Sequence, residues 1–108
     1  MVVPTFGPLR LARLFPARVI ARATGADVRT AERWRSGQSP QRRYLERMYE
    51  LQAVLDTLGP GMSSEGKQAW LEAPSGFLGW KRPIDRLAAG DFQKVRAAAE
   101  AYAVGDFA

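Results

Sequence analysis

The chain has 108 residues, 46% of them apolar and 25% charged, which suits one compact globular domain or two very small modules sharing a core. It holds no cysteine and no histidine, which excludes disulfides, thiolate metal sites, cysteine nucleophiles and the usual serine triad, and removes the commonest general base. Sixteen Lys and Arg against eleven Asp and Glu give a net charge of +5, which points to a polyanionic partner or an acidic protein surface.

The spacing predicts helices throughout, because 3.6-type periodicity recurs and no period-2 stretch bounded by turn residues appears. Pro8 opens a short helix running to about Leu14. A second helix covers 16–24, with Val19, Ile20 and Ala23 inward, and Gly25 stops it. Asp27 is the N-cap of a third, 28–36, ended by Gly37. A long fourth helix starts at Pro40 or Gln41 and runs to about Leu58, with Leu45, Met48, Leu51, Leu55 and Leu58 on its core face.

Gly59-Pro60-Gly61 is the strongest breaker in the chain. Beyond it, Ser63 or Ser64 caps a fifth helix carrying Ala69, Trp70 and Leu71 and ended by Pro74. Residues 75–82 read as irregular. Pro83 opens a sixth helix with Ile84 and Leu87 inward, closed by Gly90, and Asp91 caps a seventh over 92–104, with Phe92, Val95, Ala99 and Tyr102 in its stripe. The expected fold is all-α: a helix-turn-helix bundle over 1–59 and a small three-helix module over 60–108.

The breaker also divides the charge. Residues 1–59 hold ten arginines, no lysine and five acids; residues 60–108 hold six bases and six acids. The whole excess therefore belongs to the first segment.

Within it, residues 15–37 read as two short helices joined by a tight turn. Ala21, four residues before Gly25, sits where the helices cross and only a small side chain fits. Ala31 and Trp34 face inward, Trp34 as a core anchor. This is the logic of a helix-turn-helix, whose second helix enters the major groove. Arg29, Thr30 and Arg33 then point outward, and an arginine there can form a fork with guanine. Arg35, Gln38, Arg42 and Arg43 gather around the helix end and the next N-terminus, suited to phosphates. The segment from Ala21 to Gly37, with its Trp34-x-x-Gly37 ending and Pro40 just beyond, resembles the Xre-like helix-turn-helix. In that pattern serine or proline starts the reading helix. Asp27 stands there instead, and its charge lowers the expected affinity for DNA.

The second segment carries Trp70-Leu71-x-x-Pro74, then Phe77-Leu78-Gly79-Trp80-Lys81-Arg82-Pro83, then Leu87-x-x-Gly90-Asp91-Phe92-x-x-Val95. Alone, this describes a compact helical module in which Trp70, Leu71, Pro74, Leu78 and Leu87 pack the core. It resembles the C-terminal toxin-binding domain of the MbcA/ParS/Xre antitoxins. The ending Ala103 to Ala108 looks like the closing turn of the MbcA-like members. Both motifs together cover residues 8–108.

The resemblance implies a partner and a mechanism. Such antitoxins pair with RES-domain toxins, which resemble ADP-ribosyltransferases and act on NAD. The antitoxin's C-terminal portion obstructs the cleft where NAD enters, the helix-turn-helix represses the shared operon by binding operator DNA, and members form dimers or larger assemblies with toxin.

The residues themselves are compatible. Trp80, Lys81 and Arg82 pair an aromatic with two cations, which suits a protein contact, although Trp80 could instead cover the small core. Tyr102, Asp106, Phe107 and Ala108 lie where the chain could enter a cleft, the acid and the terminal carboxylate mimicking phosphate; Phe107 could instead fold back on the seventh helix.

Other classes fare worse. Catalysis would have to rest on groups such as Glu65 and Glu72, seven apart and both solvent-facing on one helix, and no constellation converges. No metal, cofactor or small-molecule substrate is expected. The arginines are spread over several elements, which argues against a membrane-surface helix. The N-terminus lacks a secretory pattern and no apolar run reaches a membrane span, so the expected location is cytoplasmic. A stand-alone repressor, which needs only the first segment, is the alternative function.

Overall fold

The structure, a computed structural model, describes residues 8–105. Among these residues it is all-helical: α1 Pro8–Leu14, α2 Ala17–Thr24, α3 Val28–Arg35, α4 Arg42–Leu58, α5 Ser64–Glu72, α6 Pro83–Ala88 and α7 Phe92–Ala103. A single 3-10 turn, Gly76–Leu78, lies between α5 and α6. There is no strand among them; Ser75 and Lys81 form one isolated bridge.

The helix ends follow local chemistry. Gly25 adopts φ 80° and its N–H donates to the Ala21 carbonyl, closing α2. The Asp27 carboxylate accepts from the Thr30 N–H at 2.7 Å and starts α3. Ser63 does the same for α5 through the Gly66 N–H at 3.1 Å. Asp91 occupies the N-cap position of α7 but caps no amide; its carboxylate pairs with Arg86 instead. A full cation on the preceding helix outcompetes a first-turn N–H for that carboxylate.

One apolar core runs through both segments. Leu11, Phe15, Ile20, Trp34, Met48, Leu51 and Leu55 form a continuous cluster with Leu71, Ile84, Leu87, Val95 and Ala99. Helix α2 packs on both α3 and α6, and α4 lies along α7. Helices α2 and α4 are thus walls of both halves. Ala21, Ala31 and Trp34 are buried as their phase requires. Trp34 meets Tyr44 at 5.3 Å between ring centres. Leu45, expected on the core face of α4, is only half-buried, and Val54 fills the buried position its stripe omitted.

Ion pairs join the halves as well. Arg18 of α2 reaches Glu72 of α5 at 2.5 Å, and Arg22 reaches Asp85 of α6 at 3.1 Å. Arg47 of α4 donates to the Leu87 carbonyl at 2.5 Å, at the exposed-carbonyl end of α6. Glu72 therefore does not stand free in solvent beside Glu65. It is held by Arg18 and by Gln68, which donates at 3.1 Å. Pro74, expected in the core, is exposed.

Candidate functional site

Two surfaces stand out, and they lie on different elements. The first is built by α3. Arg29 and Arg33 are exposed on its outer face, and with Glu32, Ser36 and Gln38 they line a shallow depression. Thr30 is half-buried, its N–H already bound to Asp27. That bond is the main reason the Asp27 carboxyl lies below its ordinary value; the Thr30 hydroxyl adds to it, and Arg33 and Arg29 contribute through charge. The Asp27 charge is therefore partly absorbed by its own helix.

The outer arginines divide into two groups. Arg35 turns back, its guanidinium donating to the Ala12 and Phe15 carbonyls at the end of α1. Arg43 lies over the Tyr44 ring, 4.6 Å from its centre, and donates to the Tyr44 hydroxyl at 2.9 Å. Arg42 and Gln38 are exposed. Val28, not singled out by sequence, is 46% exposed at the start of α3, where an apolar side chain could meet a thymine methyl.

The second surface is an aromatic groove of about 600 Å³ between α5, the loop after it and α7. Met62, Trp70, Pro74, Phe77, Trp80 and Tyr102 line it. Trp70 meets Tyr102 edge-on, 6.3 Å between ring centres. Trp80 is 72% exposed, which settles against its covering the core.

The loop that presents Trp80 is tightly tied. The Ser75 carbonyl accepts from Leu78 at 3.0 Å and from Trp80 at 2.8 Å, and the Ser75 N–H donates to the Lys81 carbonyl at 3.0 Å. Gly79 and Trp80 both take positive φ, 63° and 66°. Among the described residues Trp80 is the one non-glycine residue in that region. A bulky side chain there is strained, and such strain persists where the surroundings impose it.

Lys81 is exposed, whereas Arg82 is held by Asp85 through two bonds, 2.7 and 2.9 Å. Those bonds raise the Arg82 pKa and hold Asp85 below its ordinary value, with Arg22 adding to the second effect. Tyr102 lines the groove at the end of α7. Asp106, Phe107 and Ala108 lie outside the described residues.

No family model matches the chain. Among curated proteins it is 34% identical over 83 residues to the mycobacterial cidal antitoxin MbcA of Mycobacterium bovis, covering 76% of this chain and 74% of that one; the Mycobacterium tuberculosis MbcA matches equally. The chain belongs to the MbcA antitoxin family. Its fold agrees: a crystal structure of the M. tuberculosis MbcT–MbcA toxin–antitoxin complex matches with a TM-score of 0.75 and 29% identity, over 99% of this chain and 100% of that one. These relatives are antitoxins, not enzymes, and the family places this chain with toxin–antitoxin systems. Among the described residues, no group of acids could hold a metal ion, and no helix is long and apolar enough to cross a membrane.

Proposed function

We propose that this chain neutralises a RES-domain toxin that consumes NAD. The toxin seats on the aromatic groove and the Trp80 loop, and the segment from Tyr102 to Ala108 obstructs the cleft that NAD enters. Residues 1–59 repress the operon through α3, and residues 60–108 hold the toxin. The chain works in the cytoplasm as a dimer or in a larger assembly with toxin.

One observation carries the reading: in a member of an antitoxin family, an exposed tryptophan is held in a strained conformation beside an apolar groove. Exposed aromatics on a rigid support act as anchors, because little freedom remains to be lost on binding. The exposed pair Arg29 and Arg33 supports the DNA half of the reading, and it supports equally a stand-alone repressor without toxin.

Co-expression with a RES-domain toxin encoded beside this chain separates the two. An antitoxin restores growth and copurifies with the toxin; a stand-alone repressor does neither. Deleting residues 103–108 should abolish rescue while leaving the complex detectable. Full rescue by the truncated chain refutes occlusion by the tail.

A further inference from the structure

The second segment is neutral in sequence but not on its surface. Three of its acids, Glu72, Asp85 and Asp91, are bound to arginines, and two of these reach across to Arg18 and Arg22 of α2. Its lysines gain no such partner among the described residues. Lys81 and Lys94 are exposed and make no ion pair among the described residues. They meet at one place. Behind the Trp80 loop, a second pocket of about 540 Å³ is lined by Phe77, Leu78, Lys81, Arg86, Lys94 and Ala97. Phe77 borders both this pocket and the aromatic groove, so the two hollows are neighbours.

We infer that this basic pocket receives an acidic segment of the toxin, with an apolar side chain against Phe77 and carboxylates between Lys81 and Lys94. The inference rests on the antitoxin reading and adds the chemistry of the partner. Charge complementarity selects the occupant, and the backbone argues against a small phosphate ligand. A phosphate cradle needs free amides or an open guanidinium fork. Here the N–H groups of Leu78, Gly79, Trp80 and Lys81 all donate within the loop, and the Arg86 guanidinium is bound to Asp91. What remains is two exposed ammonium groups beside the apolar side chains of Phe77, Leu78 and Ala97. That arrangement attracts and orients a carboxylate-bearing chain without gripping a single anion.

The test uses the full chain and a fluorescein-labelled peptide of glutamate pairs alternating with leucine, titrated by anisotropy at low and physiological salt. The peptide should bind and shift the backbone amide resonances of residues 77–81 and 94–97. Lys94→Glu should weaken it about tenfold and Lys81→Glu with Lys94→Glu further, whereas Arg96→Glu, the same charge change on the same helix outside the pocket, should leave it nearly unchanged. Equal weakening by Arg96→Glu, or none by the double variant, overturns the pocket. So does inorganic pyrophosphate shifting the same resonances as tightly, which would make it a small-anion site. Self-association that the double variant abolishes would assign the pocket to a second copy and overturn it too. Growth rescue, scored on the same variants, separates the two readings. Rescue undiminished in the double variant discards the pocket and keeps the antitoxin. Failure of the unaltered chain to rescue, with peptide binding intact, discards the antitoxin and keeps the pocket.

Discussion

Trp80 offers a sharp test, because its strain and its exposure predict opposite effects of one substitution. At φ 66° an L-residue lies in a region that costs it about 1–2 kcal/mol and costs glycine nothing. Glycine surrenders about 0.5–1 kcal/mol of that gain through the greater freedom of its unfolded chain. Trp80→Gly should therefore be about 0.5–1 kcal/mol more stable than Trp80→Ala, which keeps the strain. For a domain of this size that is about 2–4 °C in melting temperature. Neither variant loses much buried area, since the side chain is already 72% exposed. Toxin binding should move the other way: removing an anchor of this kind costs at least about 2 kcal/mol, or about 30-fold in Kd, in both variants. Thermal melts followed by circular dichroism, with titration against toxin, read both. A glycine variant that melts below the alanine variant would refute the imposed backbone, and unweakened binding would refute the anchor.

Leu71→Ala, at a fully buried position of the second segment, should cost about 2–5 kcal/mol; with Trp70 and Trp80 replaced by Phe, Trp34 fluorescence from the first segment should fall in the same single transition as the helical signal, and two separated transitions would contradict a shared core. The lowered pKa of Asp85, due first to Arg82 and then to Arg22, adds stability that is present above the ordinary value of 3.8 and is lost as pH falls below it through the folded pKa. Asp85→Asn should accordingly flatten the acid limb of a melting-temperature profile, and a profile as steep as the parent's argues against the linkage. Arg29→Ala and Arg33→Ala should each weaken operator binding by about 1–3 kcal/mol, with half-sites about 34–36 Å apart if a dimer binds; an unchanged mobility-shift titration rules out α3 as the reading helix.

The helix ends were readable because single residues decide them. Gly25, Asp27, Ser63 and Pro83 act within a turn of where they stand. Asp91 departs from its local reading for the opposite reason: its partner, Arg86, sits on another helix, and local capping chemistry does not see it. Arg35 shows the same limit. Its spacing suits a phosphate, but the carbonyls of Ala12 and Phe15, about twenty residues earlier, come within reach only when α1 packs on α3. Trp80 and Arg82 looked alike as contacts, yet Asp85 holds one and a left-handed loop turns the other outward. The groove was half legible. Trp80 and Tyr102 read as contacts from their positions, but Trp70 and Pro74 carry the pattern of core residues, and only the folded chain sets Trp70 against Tyr102 and makes a wall of them. Phe77 enters the sequence only as part of a motif, with nothing to say which face it lines, and an isolated lysine such as Lys94 has no signal to give.

The walls that α2 and α4 lend to both halves bear on how such a chain disappears. A protein of two independent bodies can be trimmed by a protease to a working remnant. Here, opening α6 or α7 takes packing from α2 or α4, so the first segment loosens along with the groove. The chain has one lifetime. Any task carried by either half ends at the same moment, with no interval in which one outlives the other.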